Sequence, residues 1–329
     1  MTQSRPAPRR SCLGRAFLFG LLGLAAAFFL LRDPDTDAAA MRAKYGGPTS
    51  HFMTMQNGQT LHYRDQGKPD GDAMLLIHGS SASLHTWQPL IDRLGQDYRI
   101  ITLDLPGHGL SGFRSGGSMD RTTLVEAVDA LATHLKLDRF ILGGNSLGGR
   151  ISWQYALAHP GKPRALLLLD AGGMPLRAGE KAAESNFAFR LMRTTPGQWL
   201  MPHFTPRMMV EKSLRQSIAN QAIATPAMID RYWELNRYPG NRRASAQMFA
   251  EPFIDAALAE QARTIKLPTL IIFGREDRIV NPSAAQTFHE RITGSEVVMM
   301  DGIGHLPMEE APDQTANAIR DFLKRRLVR

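Results

Sequence analysis

The pattern of apolar and polar positions divides most of the chain into short strands and helices. Two alternating runs within residues 51–65 flank Asn57-Gly58, and this arrangement predicts a β-hairpin. Six largely apolar runs follow and predict buried strands: AMLLIH (73–78), YRIITLDL (98–105), RFILGG (139–144), RALLLLD (164–170), LPTLIIFG (267–274) and SEVVMMDG (295–302). Continuous apolar strands are typical of parallel sheets that are covered on both faces.

Helical segments separate these strands. The spacing of apolar residues predicts helices over 84–95, 121–136 and 147–158, and a last helix from about Pro307. Alternation of strand and helix predicts an α/β fold with a mostly parallel central sheet flanked by helices.

This alternation is interrupted between residues 173 and 252. The interruption is rich in Met, Phe, Trp, Arg and Ala, is helical in pattern and contains few strand-like runs. We therefore predict a helical cap over 173–252, inserted into an α/β core that consists of 51–172 and 253–329.

The first 32 residues differ in composition from the rest. An arginine-rich start precedes sixteen uncharged residues, AFLFGLLGLAAAFFLL (16–31). Basic residues before an apolar run predict a membrane anchor or a signal segment over 1–32, although the run is shorter than the roughly 20 residues of a spanning helix. An uncleaved anchor is favoured over cleavage near Ala38–Ala40, and residues 33–50 are interpreted as a linker. The folded domain would then lie on the non-cytoplasmic side, facing the periplasm in a Gram-negative source, or be secreted after cleavage.

The formal net charge of +8 is concentrated at the two termini. Four arginines and no acid precede residue 16, and the last ten residues carry five basic side chains against Asp321. The remainder is formally neutral, so no nucleic-acid partner is predicted. The single cysteine, Cys12, excludes an intrachain disulfide and a cysteine-based metal site. No metal and no cofactor are predicted.

The stretch GGNSLGGR (143–150) places Ser146 between a predicted strand and a predicted helix. Its pentapeptide GNSLG fits the G-x-S-x-G pattern of a nucleophile elbow. A sharp turn of this kind forces the serine into unfavourable backbone angles, so the positions two residues away favour glycine. The turn also directs the helix N-terminus at the atom that the serine attacks. A phosphate-binding loop is the alternative, although neither G-x-G-x-x-G nor a P-loop lysine pattern is present.

A serine hydroxyl needs a general base, and the base needs an orienting acid. Asp277 and His305 each follow a predicted strand, at the edge where open α/β sheets place their sites. The order Ser146, Asp277, His305 is the order expected for such an elbow, and we predict these three as the catalytic residues. Asp170, at the end of another predicted strand, is the alternative acid.

An acyl-transfer intermediate also needs two N–H donors for its oxyanion. We predict the backbone N–H groups of Leu147, at the start of the helix, and of Ser80, in the loop IHGSSAS, where Gly79 permits close approach. The alternative for the SSAS serines is a helix cap. His78 is interpreted as a brace for this loop, and Asp104 as an acceptor for nearby backbone N–H groups.

Apolar side chains in and near the cap are candidates for contact with substrate. The segment FAFRLMRTTPGQWLMPHFTPRMMV (187–210) clusters Phe, Met and Trp, which suit apolar ligands. The predicted contacts are Trp87, Met174, Trp199 and Met201. The alternative is that these residues only pack the cap on the sheet.

Five motifs, in this order and spacing, resemble those of the α/β-hydrolase superfamily: LLIHGSSAS, LDLPGHGLSG, GGNSLGG, GREDRIV and GIGHLPMEE. The chain is most similar to the lipase and carboxylesterase branch with a small helical cap, and its N-terminal segment to membrane-anchored monoacylglycerol-lipase-like members. The resemblance implies acyl transfer to water through an acyl-enzyme on Ser146, with His305 as base and then acid. GREDRIV resembles the commoner arrangement of the acid, which favours Asp277.

Departures from other branches narrow the prediction. Dehalogenases and epoxide hydrolases of this fold carry Asp in place of Ser146, and proline iminopeptidase-like members typically carry Trp in place of Leu147. We predict a serine esterase or lipase for small esters with an apolar acyl group. The alternatives are a carbon–carbon bond hydrolase of ring-fission products, a haloperoxidase-like enzyme without cofactor, and a ligand-binding protein with little turnover.

Overall fold

The structure is a computed structural model in which residues 10–177, 179–180, 194–250 and 254–327 are described. In this part of the chain eight strands form one sheet. The strands are β1 (Ser50–Thr54), β2 (Thr60–Gly67), β3 (Asp72–Ile77), β4 (Tyr98–Asp104), β5 (Phe140–Asn145), β6 (Pro163–Leu169), β7 (Thr269–Gly274) and β8 (Glu296–Met300).

The sheet has the order β1-β2-β4-β3-β5-β6-β7-β8. β1 and β2 form the predicted antiparallel hairpin, and β2 is also antiparallel to β4, whereas every pair from β4 to β8 is parallel. The prediction of a mostly parallel central sheet is confirmed. Because the strands are parallel, the loops that follow β3, β5, β6, β7 and β8 meet at one edge of the sheet.

The α-helices are α1 (Arg10–Leu31), α2 (Ala38–Tyr45), α3 (Gln88–Leu94), α4 (Arg121–His134), α5 (Leu147–Ala158), α6 (Thr195–Leu200), α7 (Arg207–Ser217), α8 (Pro226–Asn236), α9 (Asn241–Ala250), α10 (Ala256–Gln261), α11 (Ala284–Arg291), α12 (Pro307–Glu310) and α13 (Pro312–Arg326). The first predicted helix begins as a 3₁₀ turn, Leu84–Trp87, before α3. The predicted last helix is divided into α12 and α13, because Pro312 has no N–H to continue the hydrogen-bond ladder.

Side chains alternate between two apolar layers, one on each face of the sheet. In β3, Leu75 and Ile77 belong to one layer and Met74 and Leu76 to the other, and none of the four has accessible surface. Residues of α4, α5 and α11 complete the first layer, and residues of α3 and α13 complete the second. The sheet is therefore covered on both faces, as predicted.

The cap segment is helical where it is described. Its residues between 194 and 250 form α6 to α9 and short 3₁₀ turns, and these described residues contain no strand. Asn241 Nδ2 joins the cap to the core, because it donates to the carbonyl oxygen of Gly109 at 3.0 Å as well as to that of Leu235 at 2.7 Å. Residues 187–193 of the predicted apolar segment lie outside the described residues. The cap boundaries themselves stay a prediction.

The segment predicted to be a linker contains α2. Lys44 Nζ and Tyr45 OH each donate to Glu234 Oε2 of α8 at 2.7 Å, and Arg242 pairs with Asp35 at 2.6 Å. No residue of α2 is buried. The apolar pattern gave no indication of this helix, which is held by these polar contacts and by partly buried side chains such as Met41.

The described residues form two compact units, one that begins at Asp35 and one that ends at Pro34. The predicted apolar segment lies in α1 of this unit. Among the described residues, no helix is both long and apolar enough to cross a membrane. The predicted membrane anchor, and the location derived from it, therefore have no support from the structure.

Candidate active site

Ser146 occupies the turn between β5 and α5, with φ 54° and ψ −113°. Residues other than glycine rarely adopt such backbone angles, so the turn is strained. The N–H of Ser146 donates to Leu169 O at 3.0 Å, and its carbonyl accepts from the N–H groups of Arg150 and Gly172, each at 3.0 Å. These bonds to β6 and α5 hold the turn in the geometry predicted for an elbow.

The glycines of the elbow are required by close backbone approach. A Cβ at Gly144 would collide with the backbone of Gly148, and a Cβ at Gly148 would collide with the carbonyl groups of Ile77 and His78. A Cβ at Gly79 would lie 3.1 Å from the Cβ of Ser146. The absence of side chains thus allows β5, α5 and the loop after β3 to meet at the serine.

Asp277 and His305 form a hydrogen-bonded pair at the same edge. His305 Nδ1 lies 2.7 Å from Asp277 Oδ2, and Asp277 Oδ1 accepts the N–H groups of Ile279 at 2.7 Å and Val280 at 3.1 Å. Both side chains are almost fully buried. Because the carboxylate engages Nδ1, His305 has Nε2 available as a proton acceptor.

Asp170 lies beside this pair, at the end of β6. Its Oδ1 accepts the N–H of Gly274 at 3.0 Å. Burial, and then the neighbouring Asp277, raise the pKa of Asp170 well above its usual range. No hydrogen bond joins Asp170 to His305 in the described part of the chain, and this geometry favours Asp277 as the orienting acid.

The same three side chains have the spacing of metal ligands. One oxygen from each aspartate and one nitrogen of His305 lie within 4.8 Å of one another, and no other group of His, Cys, Asp or Glu among the described residues is so arranged. Asp277 already accepts three hydrogen bonds, from His305, Ile279 and Val280. In this group Asp277 is paired with His305, and Asp170 lies beside them.

The two predicted oxyanion donors belong to the elbow and to the loop after β3. Leu147 is the first residue of α5, so its N–H has no acceptor within the helix. Ser80 follows Gly79 in the loop after β3. His78 braces that loop as predicted, since its Nδ1 lies 2.7 Å from Gly79 O and its Nε2 accepts the N–H of Leu105 at 3.1 Å.

Asp104 has the structural role predicted for it. The buried carboxylate accepts the N–H groups of Leu84 at 2.7 Å and Leu110 at 2.8 Å, and it lies 2.7 Å from His62 Nδ1. Ser83 makes no side-chain capping bond to the 3₁₀ turn that follows it. The Leu84 N–H therefore donates to Asp104 and not to the side chain of the nearby Ser83.

The predicted substrate contacts differ in their surroundings. Trp87 is fully buried in the apolar layer beneath α3, and Met174 is 5% exposed in the opposite layer, so both pack in the core. Trp199 is 64% exposed on α6, with its ring 5.8 Å from that of His203. The side chain of Met201 lies outside the described residues. Core packing, the alternative interpretation, therefore accounts for Trp87 and Met174.

Two residues that hold the site together were not identified from the sequence. Asn145 Nδ2 donates to the carbonyl oxygens of His305 at 2.9 Å and Leu169 at 3.2 Å, so it joins the elbow to the histidine loop. Glu310 accepts N–H groups from that loop and from the cap. Asn145 occupies a variable position of G-x-S-x-G, and the partners of Glu310 are distant in sequence, so no local pattern indicates either role.

Comparisons with known proteins agree with this architecture. The chain matches the family described as alpha/beta hydrolase fold over residues 72–312. It is 27% identical to Lipase 3 of Moraxella sp. (strain TA144), over 83% of this chain and 85% of that protein. It is also 27% identical to Monoacylglycerol lipase ABHD6 of Rattus norvegicus, over 79% of this chain and 78% of that protein. The solved structure of a membrane phospholipase A, a bacterial virulence factor, is 27% identical, with a TM-score of 0.70 over 98% of this chain and 100% of that one.

The family match covers more than half of the chain, so the chain belongs to the α/β-hydrolase fold family. Within that family, its lipase relatives define it as a carboxylic ester hydrolase. The resemblance of the five motifs to the α/β-hydrolase superfamily, and to its lipase and carboxylesterase branch, is confirmed.

Proposed function

We propose that this enzyme hydrolyses small esters with an apolar acyl group, monoacylglycerol-like or simpler, through an acyl-enzyme on Ser146. His305 removes the proton from Ser146 Oγ as Oγ attacks the ester carbon, and then gives that proton to the leaving alcohol. Asp277 orients His305 and stabilises its protonated form. The proposal rests on the strained serine at φ 54°, which shares one sheet edge with the 2.7 Å contact between His305 and Asp277.

The N–H groups of Leu147 and Ser80 stabilise the oxyanion in this proposal. Both belong to backbone that the fold fixes before substrate binds, namely the first turn of α5 and the loop that Gly79 brings against Ser146. Preorganised donors of this kind each contribute roughly 10²–10³-fold to kcat.

An apolar acyl group is supported by the relatives and by the cap. The relatives described above are a lipase, a monoacylglycerol lipase and a phospholipase A. On the cap, Trp199 and Leu200 of α6 and Met208 of α7 are exposed apolar side chains, with Met208 78% exposed. Such side chains provide apolar surface for an acyl chain.

Hydrolysis of p-nitrophenyl esters from acetyl to palmitoyl, by the full chain and by Ser146→Ala, tests the proposal. Ser118→Ala is the matched control, since Ser118 is exposed and remote from the sheet edge in sequence. We expect activity that peaks at one chain length, is lost in Ser146→Ala and is unchanged in Ser118→Ala. A phosphonate probe for serine hydrolases should label the wild type and Ser118→Ala only.

Other outcomes identify the alternative functions. Unchanged ester turnover in Ser146→Ala would contradict a serine mechanism. Labelling of Ser146 without turnover of any ester would favour ligand binding. Cleavage of a carbon–carbon bond in a ring-fission product, with no ester hydrolysis, would assign the site to that class of hydrolase.

A further inference from the structure

The carboxyl group of Asp170 has an unusual environment. It is fully buried, and its residue has φ 43°, a left-handed conformation that Asp tolerates better than most residues. One oxygen, Oδ1, accepts the N–H of Gly274. The other, Oδ2, is buried and has no hydrogen-bond partner in the described part of the chain.

Among the described residues, three ionisable groups face Asp170. Asp277 approaches from the loop after β7, His305 from the loop after β8 and Glu310 from α12. Two of them are acids, and the carboxylate of Asp277 already accepts hydrogen bonds on both oxygens. A second charged carboxylate in this buried position would be unpaired and would repel Asp277. A neutral carboxylic acid avoids the repulsion and gives Oδ2 a proton to donate.

We propose that Asp170 is a protonated positioning residue, whose Oδ2 hydroxyl donates a hydrogen bond to the carboxylate of Asp277. This inference rests on the proposed function, in which Asp277 orients His305. The Asp170 hydroxyl holds the Asp277 carboxylate in the rotamer that faces His305. The same hydrogen bond makes the Asp277 carboxylate a weaker base. Asp170 thus stays neutral throughout turnover, and His305 senses one negative charge rather than two. The raised pKa of Asp170, caused first by burial and then by Asp277, agrees with this assignment.

The test compares pH–rate profiles of kcat and kcat/KM for three variants with those of the wild type. Asp170→Asn keeps a neutral donor and tolerates positive φ, whereas Asp170→Gly removes the donor without backbone strain. Asp277→Asn removes the acceptor. We expect Asp170→Asn to keep kcat within about threefold of the wild type, with an unchanged acidic midpoint, because one neutral donor replaces another. Asp170→Gly should lower kcat about tenfold and move the acidic midpoint to higher pH, because the Asp277 carboxylate becomes a stronger base.

Three results would overturn the inference. A downward shift of the acidic midpoint in Asp170→Asn would mean that Asp170 is ionised in the wild type. A loss of kcat in Asp170→Asn as large as that in Asp277→Asn would make Asp170 the orienting acid. If folded Asp170→Gly has the same pH–rate profiles as the wild type, Asp170 has no positioning role.

An infrared measurement tests the inference without relying on enzyme turnover. The difference spectrum of the resting wild type minus Asp170→Asn at neutral pH should contain the carbonyl stretch of a protonated carboxyl. This band distinguishes the two proposals, because it is expected even if Ser146→Ala shows that the proposed ester chemistry is wrong. Absence of the band in the wild type would overturn the assignment of the proton, whether or not Asp170→Gly folds.

Discussion

Glu310 connects the loop of His305 to the cap, and its replacement should damage both stability and turnover. Its Oε1 accepts the N–H groups of Gly304 at 3.0 Å and Leu306 at 3.4 Å, on either side of His305 in sequence. Its Oε2 accepts those of Ala219 at 2.7 Å and Asn220 at 3.1 Å, at the start of the loop after α7. One carboxylate therefore fixes two segments that are far apart in the chain.

The size of the effect follows from which donors lose a partner. The bond to Leu306 is long, and the N–H of Asn220 is exposed and available to water, so Gly304 and Ala219 dominate. An unsatisfied, partly buried donor costs about 1–3 kcal/mol, so Glu310→Ala should lower the free energy of unfolding by roughly 2–5 kcal/mol. Glu310→Gln keeps one acceptor oxygen and should lose about half of that amount.

The fall in kcat should be larger than the loss of folding stability by itself would cause. Displacement of a catalytic group by about 1 Å can cost about 100-fold in rate, so we expect kcat of Glu310→Gln to fall roughly 10- to 100-fold while the protein remains folded. Urea unfolding and p-nitrophenyl ester kinetics measure the two quantities. Glu126→Ala, an exposed glutamate on α4, is the matched control and should change neither. A Glu310→Gln enzyme with wild-type kcat and unfolding midpoint would refute the reasoning, because the His305 loop would then need no anchor.

Three further predictions follow from the core and the acid pair. Trp87→Ala should lower the free energy of unfolding by about 3–5 kcal/mol, because Trp87 is fully buried. Trp199→Ala, at an exposed site, should change that free energy by less than about 0.5 kcal/mol and shift the preferred acyl length. Equal losses of stability in urea unfolding would contradict this difference. Asp277→Asn should lower kcat roughly 10³- to 10⁴-fold with little change in folding, and near wild-type kcat would exclude it as the orienting acid. Burial raises the pKa of Asp170 in the fold, so its proton stabilises the folded state at low pH, and that contribution is lost as pH rises from about 4 towards the folded pKa. Asp170→Asn lacks this loss, so its stability relative to the wild type should increase by up to about 1.4 kcal/mol per pH unit in that window; a constant difference between pH 4 and 7 would contradict the sign.

Much of the fold and part of the site follow from local sequence. Each buried strand is a short apolar run, since a strand covered on both faces needs apolar residues at successive positions. The requirement for glycine at position 144 is equally local, because a Cβ there would collide with the backbone of Gly148. The order of Ser146, Asp277 and His305 along the chain is likewise visible without coordinates. These features depend on neighbours in sequence or on strand order alone.

Other features depend on contacts between distant segments. Helix α2 in the predicted linker is held by Glu234 of the cap, and the loop of His305 by Glu310 and Ser217. Trp87 is buried in the core, although the sequence left contact with substrate open. The choice between Asp170 and Asp277 belongs here too, because both end strands that meet at one edge. The sequence favours Asp277 only by resemblance, and the tertiary structure adds that His305 Nδ1 lies 2.7 Å from Asp277 Oδ2, because strand order alone does not define distances on that scale.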